Sequence, residues 1–371
     1  MMDDGGILTS SIELRELFDS TFEHQQKDIA FAFGYGSGVF LQQDGDDEGE
    51  RKTNELSTAA EKEKKMLDMI LIVKDAQQFH KSNLETNPHH YAPLFRDATR
   101  ATWWQKHETV HLTRRWIRNP KVFFNFVEEP FMKYGVVELS DLGSDLKHWD
   151  SLYIAGRMHK PTATVMCNKD GKDQISRWQN QHNLPAALSA ALLLTGITDD
   201  TNQAEEERTI SLAELYSQIS SLSYTGDFRM QVGAEDPGKI KKLVHSPGQL
   251  KRFHQMYNRV ALQPLVEEGV LSLNSTTSSS SSSNETTITW NPVDPATRKH
   301  LWQRLPEKLQ HLQPSDNNGV AVAVDKLHQN LHQIVAPAAR YQSFKGLWTA
   351  GLSKSARYAA AKLAKGIMRK K

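Results

Sequence analysis

A glycine-serine turn and one acid on an apolar strand are the residues of this sequence whose types and spacing suit chemistry. The turn Gly36-Ser37-Gly38 follows a short apolar segment, and Asp68 interrupts the apolar run from Met66 to Val73. A run of this length and composition predicts a strand buried on both faces, where an ionised carboxylate is costly unless a cation meets it. We therefore predict that Asp68 is a metal-binding catalytic acid beside a phosphate-binding turn. The alternative is a strand-end aspartate that caps a neighbouring turn.

Phosphate binding by this turn has a simple physical basis. Glycine permits backbone angles that other residues resist, and successive amides in such a turn point into one concavity that suits an anion. A dinucleotide-binding turn would need a third glycine where Val39 stands, and a P-loop would need a lysine after Gly38. We predict that Gly36, Ser37 and Gly38 bind a triphosphate. The arrangement resembles the nucleotidyltransferase fold, in which a Gly-Ser turn holds phosphates and the next strand presents metal-binding carboxylates.

The strand itself supplies only one acid, because Ile70 stands two residues after Asp68, where that fold often has a second carboxylate. Asp227, beside Gly226 in a predicted turn, is the candidate for the second catalytic and metal-binding acid. The two carboxylates would then share one ion, or hold two ions about 3.5–4 Å apart. The alternative for Asp227 is a local ion pair with Arg229.

Two cations and a histidine-rich segment complete the candidate site. The spacing predicts an amphipathic helix from Asp141 to Arg157, with Arg157 and Lys160 at its end. These cations suit phosphate binding, and two exposed cations at a helix C-terminus fit the spacing equally well. Adjacent histidines rarely bind one metal ion, because neighbouring side chains diverge. We therefore interpret the segment containing His90 and Tyr91 as a polar active-site loop.

A short motif suggests a different chemistry. His107-Glu108-Thr109-Val110-His111 matches the H-E-x-x-H signature of zinc proteases, in which two histidines on one helix face bind zinc and the glutamate activates water. A third zinc ligand would have to come from Glu128, Glu129 or Glu138. The other interpretation is a surface helix, which the crowding by Trp103, Trp104, Arg114 and Arg115 favours.

Composition and charge bound the class of protein. The 371-residue chain has a mean hydropathy of −0.57, which indicates a soluble protein of about two domains. It has no apolar stretch of about 18 residues, so we predict no transmembrane helix. The single cysteine, Cys167, excludes an internal disulfide and a cysteine-rich zinc site. No acid follows Asp325, whereas ten Lys and Arg residues do, which leaves 35 basic against 44 acidic residues on the first 325 positions.

This charge asymmetry predicts an acidic body with a basic tail. No aromatic-basic RNA motif accompanies the tail, so we predict no nucleic-acid partner. From Leu352 onward the apolar residues share one helical face with cations around it, which predicts an amphipathic helix that binds an anionic membrane surface. The alternative is a helix packed on the acidic body. The predicted membrane-contacting residues are Trp348, Lys354, Arg357, Lys362, Lys365 and Arg369.

Patterns along the chain predict an α+β protein in three parts. Residues 1–184 form the first domain, and its charged segment 42–65 is a disordered insert. Residues 185–335 form a second, mostly helical domain, in which the serine-rich segment 271–287 is a linker. Residues 336–371 form the basic amphipathic tail.

Several separated segments resemble the mitochondrial translocator-assembly-and-maintenance family of phosphatidate cytidylyltransferases, in the same order and over nearly the whole chain. They are Phe33 to Phe40, Met66-Leu67-Asp68, His90-Tyr91, Lys133 to Val136, Leu152 to Arg157 with Lys160-Pro161, Tyr224-Thr225-Gly226-Asp227-Phe228-Arg229, Arg340 to Gly346 and Thr349-Ala350-Gly351. The acidic insert, the serine run and the region around His107 depart from the family pattern.

The resemblance implies an enzyme that makes CDP-diacylglycerol and pyrophosphate from CTP and phosphatidic acid, for cardiolipin synthesis. It implies a nucleotidyltransferase domain joined to a helical, winged-helix-like domain, with the active site between them. It also implies a peripheral protein on the matrix side of the inner mitochondrial membrane. We expect Mg²⁺ as the divalent ion, and we expect Tyr224 and Arg229 near the site. The competing functions are a non-catalytic assembly factor and the zinc protease described above.

Overall fold

The computed structural model describes the chain in segments. These are residues 8–9, 12–36, 38–40, 66–107, 118–196, 207–227, 229, 238–246, 248–276, 285–314 and 319–349. Several of our predictions lie outside the described residues: the disordered insert 42–65, Ser37, Glu108, His111, and every tail residue beyond Thr349, including Lys354, Arg357, Lys362, Lys365 and Arg369.

A mixed six-stranded sheet organises the first half of the described chain. Its order is β1-β6-β2-β3-β5-β4, with β1 parallel to β6, β3 parallel to β5 and the other pairs antiparallel. The strands are β1 Leu8–Thr9, β2 Ile29–Tyr35, β3 Leu67–Val73, β4 Phe123–Val127, β5 Met132–Glu138 and β6 Ala163–Cys167.

Both faces of this sheet are covered, as the continuous apolar runs predict. Successive side chains of a strand point to opposite faces, so Phe33 and Ile70 belong to one hydrophobic cluster while Met69 and Leu71 belong to the other. β3 is fully buried from Met69 to Val73, which confirms the prediction of a central buried strand over those residues. Met66, Leu67 and Asp68, at the start of the predicted buried run, are only half-buried.

Helices of the first half pack on the sheet. Asp75 and Asp97 start two of them, because each aspartate side chain accepts a hydrogen bond from the backbone three residues on. The helices are α1 Ile12–Phe22, α2 Ala76–Thr86, α3 Ala98–Lys106, α4 Leu139–His148, α5 Ala155–Met158 and α6 Lys169–Trp178, with 3₁₀ turns at Glu23–Asp28, Pro88–His90 and Pro93–Phe95.

The second half is mostly helical around α7, whose sequence is apolar on every side and almost completely buried. Its helices are α7 Leu184–Thr195, α8 Leu212–Ser221, α9 Lys239–His245, α10 Gln249–Tyr257, α11 Gln263–Glu267, α12 Pro295–Gln303, α13 Glu307–Gln310 and α14 Val320–Thr349. A 3₁₀ turn spans Leu222–Tyr224, and π-helical turns span Gln179–Asn183 and Asn258–Leu262. The described chain thus mixes α and β structure, as predicted. No helix among the described residues is long and apolar enough to cross a membrane.

The prediction that 271–287 is a linker is wrong over its described residues. A small antiparallel sheet forms there, with strand order β7-β9-β8 and strands β7 Arg208–Ser211, β8 Leu271–Thr276 and β9 Glu285–Trp290. Leu273 pairs with Ile288, and the threonines of β9 have high strand propensity. The serine run hid these strands, because it biases the composition of the whole segment.

The predicted domain limits fall inside continuous helical structure. The limit at 184/185 lies where the π-helical turn Gln179–Asn183 joins α6 to α7, and the limit at 335/336 lies inside α14. Ala336 and Ala338 are buried. The first part of the predicted tail is therefore packed on the body.

α14 contacts both halves of the described chain. Near its middle, the ring of His332 lies against Gly226, where an added Cβ would come within 2.5 Å of the ring. Near its end, the buried Lys345 ammonium donates to the backbone oxygen of Val122 at 3.0 Å and to Asn119 Oδ1 at 3.3 Å. Burial holds the pKa of Lys345 well below its ordinary value. This helix therefore joins the Gly226 turn of the second half to the sheet of the first.

Candidate active site

The phosphate-binding turn begins where β2 ends. Gly36 has a φ of +80°, a left-handed conformation that favours glycine, and its carbonyl accepts hydrogen bonds from the amides of Val39 and Phe40 at 3.2 and 3.1 Å. An added Cβ on Gly38 would lie 2.2 Å from the Met66 carbonyl oxygen, so only glycine lets the turn pass this closely to the start of β3. Both glycines thus have structural reasons for their type.

Asp68 lies directly beside this turn. It is the antiparallel partner of Tyr35 and the parallel partner of Lys133 on the other side of β3. A Cβ on Gly36 would stand 3.9 Å from Asp68 Oδ2. The predicted juxtaposition of acid and glycine turn is therefore present, although β3 and the turn are separated in sequence by the charged insert.

A buried aspartate that we did not predict as functional shapes the next part of the site. The helix predicted over 141–157 is interrupted at Trp149 and Leu152, whose φ angles are 54° and 53°. The Asp145 carboxylate stabilises this break by accepting four backbone N–H groups at 2.8–3.1 Å, from Ser151, Leu152, Ile154 and Ala155. These bonds fix the start of α5, which carries Arg157.

Arg157 is held between two tyrosines. Its guanidinium carbon lies 4.0 Å from the ring centre of Tyr153 and 5.3 Å from that of Tyr35, and it donates to the Tyr153 carbonyl. Burial opposes its charge, but the hydroxyls of Tyr153 and Tyr35 favour it, and its pKa is raised overall. Within the described part of the chain its buried Nε has no hydrogen-bond partner. A permanently charged donor is thus fixed in place with one N–H left over.

Lys160 belongs to the same cluster but contacts the second half of the chain. Its ammonium donates to Ser223 Oγ at 2.7 Å and lies 4.4 Å from the ring centre of Tyr224. Lys239, at the start of α9, approaches the same ring at 5.5 Å. Burial lowers the pKa of Lys160 to about 8; Tyr224 partly opposes this, and the charges of Arg157 and Lys239 add to it.

The three cations Arg157, Lys160 and Lys239 form what we call the cationic row. Tyr35 links the row to Asp68: burial and the Asp68 carboxylate raise the pKa of its hydroxyl, which is hydrogen-bonded to Arg157. The structure therefore brings Gly36, Asp68, Arg157, Lys160 and Tyr224 into one site, with contributions from both halves of the chain. The sequence alone did not point to Tyr35, Tyr153, Ser223 or Lys239, although the first two stand inside recognisable motifs.

Asp227 forms the local ion pair with Arg229 that is the alternative to its predicted role as a metal ligand. Its buried carboxylate pairs with Arg229 at 2.6 Å and accepts from the Arg229 Nε at 3.0 Å. Its backbone amide donates to the carbonyl of Tyr224, the residue whose ring lies beside Lys160 and Lys239. Among the described residues, no group of three or more His, Cys, Asp or Glu side chains is placed to hold a metal ion. A metal ion shared by Asp227 and Asp68 stays a prediction.

His90 and Tyr91 of the predicted polar active-site loop are buried, and their place in the active site stays a prediction. His90 Nδ1 lies 2.9 Å from the Tyr134 hydroxyl, and the Asn83 amide donates to both Tyr91 and Tyr134. Burial lowers the pKa of His90 to about 4. Their polar atoms satisfy one another inside the fold, which the local sequence pattern did not reveal.

His107 is the only member of the H-E-x-x-H motif within the described residues. Its ring stacks on Trp103 with centroids 4.2 Å apart. This contact uses the histidine in packing at the end of α3. The motif's other two functional residues lie outside the described chain.

The geometry defines a class of site. A glycine turn, an adjacent carboxylate and a row of half-buried cations suit a polyphosphate whose charge must be held while one phosphorus is attacked. The site is therefore of the kind expected of a phosphoryl- or nucleotidyl-transferring enzyme.

Comparison with known proteins identifies the family. A family model described as "Phosphatidate cytidylyltransferase, mitochondrial" matches residues 18–365. A protein with this name from Danio rerio is 31% identical over 353 residues, covering 91% of each chain. One from Xenopus laevis is 31% identical over 360 residues, also covering 91% of each. One from Schizosaccharomyces pombe is 29% identical over 383 residues, covering 96% of this chain and 85% of the relative. The chain belongs to this family.

Proposed function

We propose that this protein is a phosphatidate cytidylyltransferase, which makes CDP-diacylglycerol and pyrophosphate from CTP and phosphatidic acid. The observation that carries the proposal is the set of neighbours that leads from the Gly36 turn through Asp68 and Tyr35 to Arg157 and Lys160. Such a set provides places for several phosphate groups in one site, which a transfer between a triphosphate and a lipid phosphate requires.

The reaction is an in-line displacement at phosphorus. An oxygen of the lipid phosphate attacks the α-phosphorus of CTP, the bond from that phosphorus to the bridging oxygen breaks, and pyrophosphate leaves. The backbone amides of the glycine turn bind the triphosphate. Arg157, fixed by Tyr35 and Tyr153, donates to phosphate oxygens on which charge accumulates. Because these groups are already oriented, they cost no reorganisation when charge develops.

A divalent ion such as Mg²⁺ fits the part of the site beside the glycine turn. Asp68 supplies a carboxylate oxygen beside the turn, and Mg²⁺ is commonly held by one or two carboxylates together with substrate phosphates. When bound there, the ion neutralises phosphate charge. Asp68 would hold it, whereas Asp227 would first have to release Arg229. We therefore propose Asp68 as the principal protein ligand and keep Asp227 as the candidate for the second.

Architecture and location complete the proposal. We propose that the first half has the nucleotidyltransferase fold and that the helical half is winged-helix-like. We further propose that the protein associates peripherally with the matrix side of the inner mitochondrial membrane, in the service of cardiolipin synthesis, through an amphipathic helix beyond Thr349. The mitochondrial names of the relatives support this location. Exposed Phe344 and Trp348, at the end of α14, support contact with a lipid interface.

The deciding experiment follows both products of CTP. Purified protein, CTP labelled at either the α- or the γ-phosphate, and Mg²⁺ are incubated with and without phosphatidic acid. We expect the α-label to enter lipid and the γ-label to appear in pyrophosphate, both only when phosphatidic acid is present. A protein that turned over no CTP would instead be a non-catalytic assembly factor, and release of pyrophosphate without lipid would exclude the proposed acceptor.

Asp68→Asn is the variant that tests the mechanism. It preserves the shape of the side chain but removes the charge that holds a cation, so we expect turnover to fall at least about 100-fold with an unchanged melting temperature. Asp173→Asn, at an exposed position on α6, is the matched control and should retain the parental rate. A near-normal rate for Asp68→Asn would remove this residue from the chemistry.

A further inference from the structure

Tyr224 carries two ammonium groups from different parts of the chain. Lys160 comes from the end of α5 and Lys239 from the start of α9, and their Nζ atoms lie 4.4 and 5.5 Å from the centre of the Tyr224 ring. Ser223, the preceding residue, accepts from Lys160 at 2.7 Å. Both lysines are half-buried. Two ammonium groups from different parts of the chain and a hydroxyl therefore lie around one aromatic ring.

Two ammonium groups beside one ring repel each other, whereas the face of the ring attracts each of them. Burial lowers the pKa of Lys160, and the repulsion from the charges of Arg157 and Lys239 adds to this lowering. An anion bound by the two ammonium groups relieves the repulsion with charge-assisted hydrogen bonds. A phosphate monoester suits this place well, because it brings up to two negative charges and three acceptor oxygens.

The position of the two lysines separates them from the triphosphate turn. Contacts run from Asp68 to its strand partner Tyr35, from Tyr35 to Arg157, from Arg157 along α5 to Lys160, and from Lys160 to Tyr224. Lys239 stands at the far end of this sequence of contacts. In an in-line displacement the attacking oxygen and the leaving pyrophosphate lie on opposite sides of the α-phosphorus. With the triphosphate on the turn, the far end of the row is where the attacking phosphate must come from.

We propose that Lys160, Lys239, Ser223 and Tyr224 form the subsite for the acceptor phosphate, the headgroup of phosphatidic acid. This inference rests on the proposed function and assigns a role to Lys239 and Ser223. Arg157 then lies between donor and acceptor phosphates, where it can contact both.

The test separates acceptor binding from nucleotide binding. The parental protein and the Lys239→Gln variant are assayed with dihexanoyl phosphatidic acid, which is water-soluble and so removes membrane binding from the measurement. We expect Lys239→Gln to raise the KM for this lipid about tenfold, with the KM for CTP and the inhibition constant of pyrophosphate within twofold of the parent. Lys239→Arg should recover most of the loss, because it restores the charge. Lys241→Gln, exposed on the same helix, is the matched control.

A second measurement does not depend on turnover. Dihexanoyl phosphatidic acid alone should raise the melting temperature of the parent and of Lys241→Gln, but clearly less that of Lys239→Gln. An increase in the pyrophosphate inhibition constant with an unchanged lipid KM would overturn the proposal, because the lysines would then bind the leaving group. Equal thermal shifts in all three proteins would overturn it as well. If the parent turned over no CTP, the proposed function would fail, and the thermal shifts would still decide whether the subsite binds the lipid phosphate.

Discussion

At the level of single residues, the site depends on cations whose charge is controlled by their neighbours. Arg157 keeps its proton between two tyrosine rings, whereas Lys160 has a pKa lowered to about 8, mainly by burial. A guanidinium and an ammonium three residues apart thus respond differently to pH. Because Lys160 loses its charge near pH 8, the pH dependence of the reaction can report its contribution to phosphate binding.

The pH dependence of kcat/KM for dihexanoyl phosphatidic acid should show this probe. Lys160 is protonated below about pH 8 and loses its charge as the pH rises through that value; the groups facing it are Arg157, Lys239, Tyr224 and Ser223. We expect kcat/KM, which reports the free enzyme, to fall above about pH 8. In Lys160→Arg the fall should move beyond about pH 9.5, because the guanidinium stays charged. An unchanged profile in that variant would show that another group controls the loss.

The sequence was sufficient to select Gly36 and Asp68 as site residues, but it was not sufficient to select the tyrosines that hold Arg157 beside them. Gly36 and Asp68 are recognisable because a glycine turn followed by an acid on a buried strand is locally unusual. Tyr35 and Tyr153 gave no such signal, because an aromatic residue in an apolar motif is normally interpreted as core. Their role depends on where Arg157 arrives, and that is decided by a break in the chain near Trp149.

At the level of secondary structure, that break is the element that the sequence pattern conceals. Helical periodicity continues through Asp141 to Arg157, so nothing in the pattern marks Trp149 and Leu152 as left-handed residues. The break exists because the Asp145 carboxylate takes four backbone N–H groups that would otherwise be unsatisfied. A tertiary arrangement thus overrides local helical preference.

Asp145→Asn should expose this dependence. The amide nitrogen donates where an oxygen must accept, so two of the four backbone groups lose their partner, and we expect the free energy of unfolding to fall by about 3 kcal/mol. The KM for CTP should rise at the same time, because Arg157 is no longer fixed. Asp150→Asn, five residues on at an exposed position, should cost at most about 0.5 kcal/mol. Urea denaturation of both variants measures the difference, and equal losses would show that Asp145 has no special role.

In the strands of the second half, the local sequence pattern was informative and the overall composition was misleading. β8 and β9 alternate apolar and polar residues over part of their six positions each, which is recognisable strand patterning. The serine run between them dominated the composition and led to the linker prediction. Periodicity within short windows was the better guide here.

At the level of the whole molecule, the interior contains several histidines held neutral by burial. Burial lowers the pKa of His80 to about 4 and that of His159 to about 3. His159 Nε2 is paired with Asn183 Oδ1 at 2.9 Å, and its backbone oxygen accepts from Tyr257. Both histidines are fully buried, and His159 contacts elements of both halves, so their protonation affects global stability.

Stability should therefore decrease on mild acidification. Each such histidine has a folded-state pKa below its unfolded value, so the unfolded state binds more protons between about pH 6.5 and 4. The associated stability is complete above about pH 6.5 and is lost as the pH falls, by up to about 1.4 kcal/mol per pH unit for each residue. Urea denaturation from about pH 7.5 to 5 should show this slope. In His159→Gln the slope of the unfolding free energy against pH should decrease by the contribution of one histidine, up to about 1.4 kcal/mol per pH unit. In His24→Gln, a control at an exposed position, the slope should not change. Identical slopes in the two variants would contradict the role given to His159.

Membrane binding should depend on the basic segment beyond α14. We expect the parental protein to bind liposomes more strongly as their phosphatidic acid or cardiolipin content rises and less strongly as salt rises, because each cation near the surface contributes roughly 1 kcal/mol. Truncation after Thr349 should abolish sedimentation with such liposomes while CTP binding survives. Replacing Lys362, Lys365 and Arg369 by Gln tests the charge alone. Sedimentation of the truncated protein with anionic liposomes would show that the anchor lies elsewhere.

The two attachments of α14 also constrain the order in which the protein can mature. His332 lies against the Gly226 turn and Lys345 donates to the loop before β4, yet this helix follows every other described element in the chain. A polypeptide that emerges amino-terminus first, from a ribosome or a translocation channel, has already released the glycine turn and the acid strand long before these contacts can form. The Gly226 turn and the loop before β4 therefore acquire these contacts only after α14 has emerged, so a chain that stalls before α14 carries the glycine turn and the acid strand without the helix that joins the two halves.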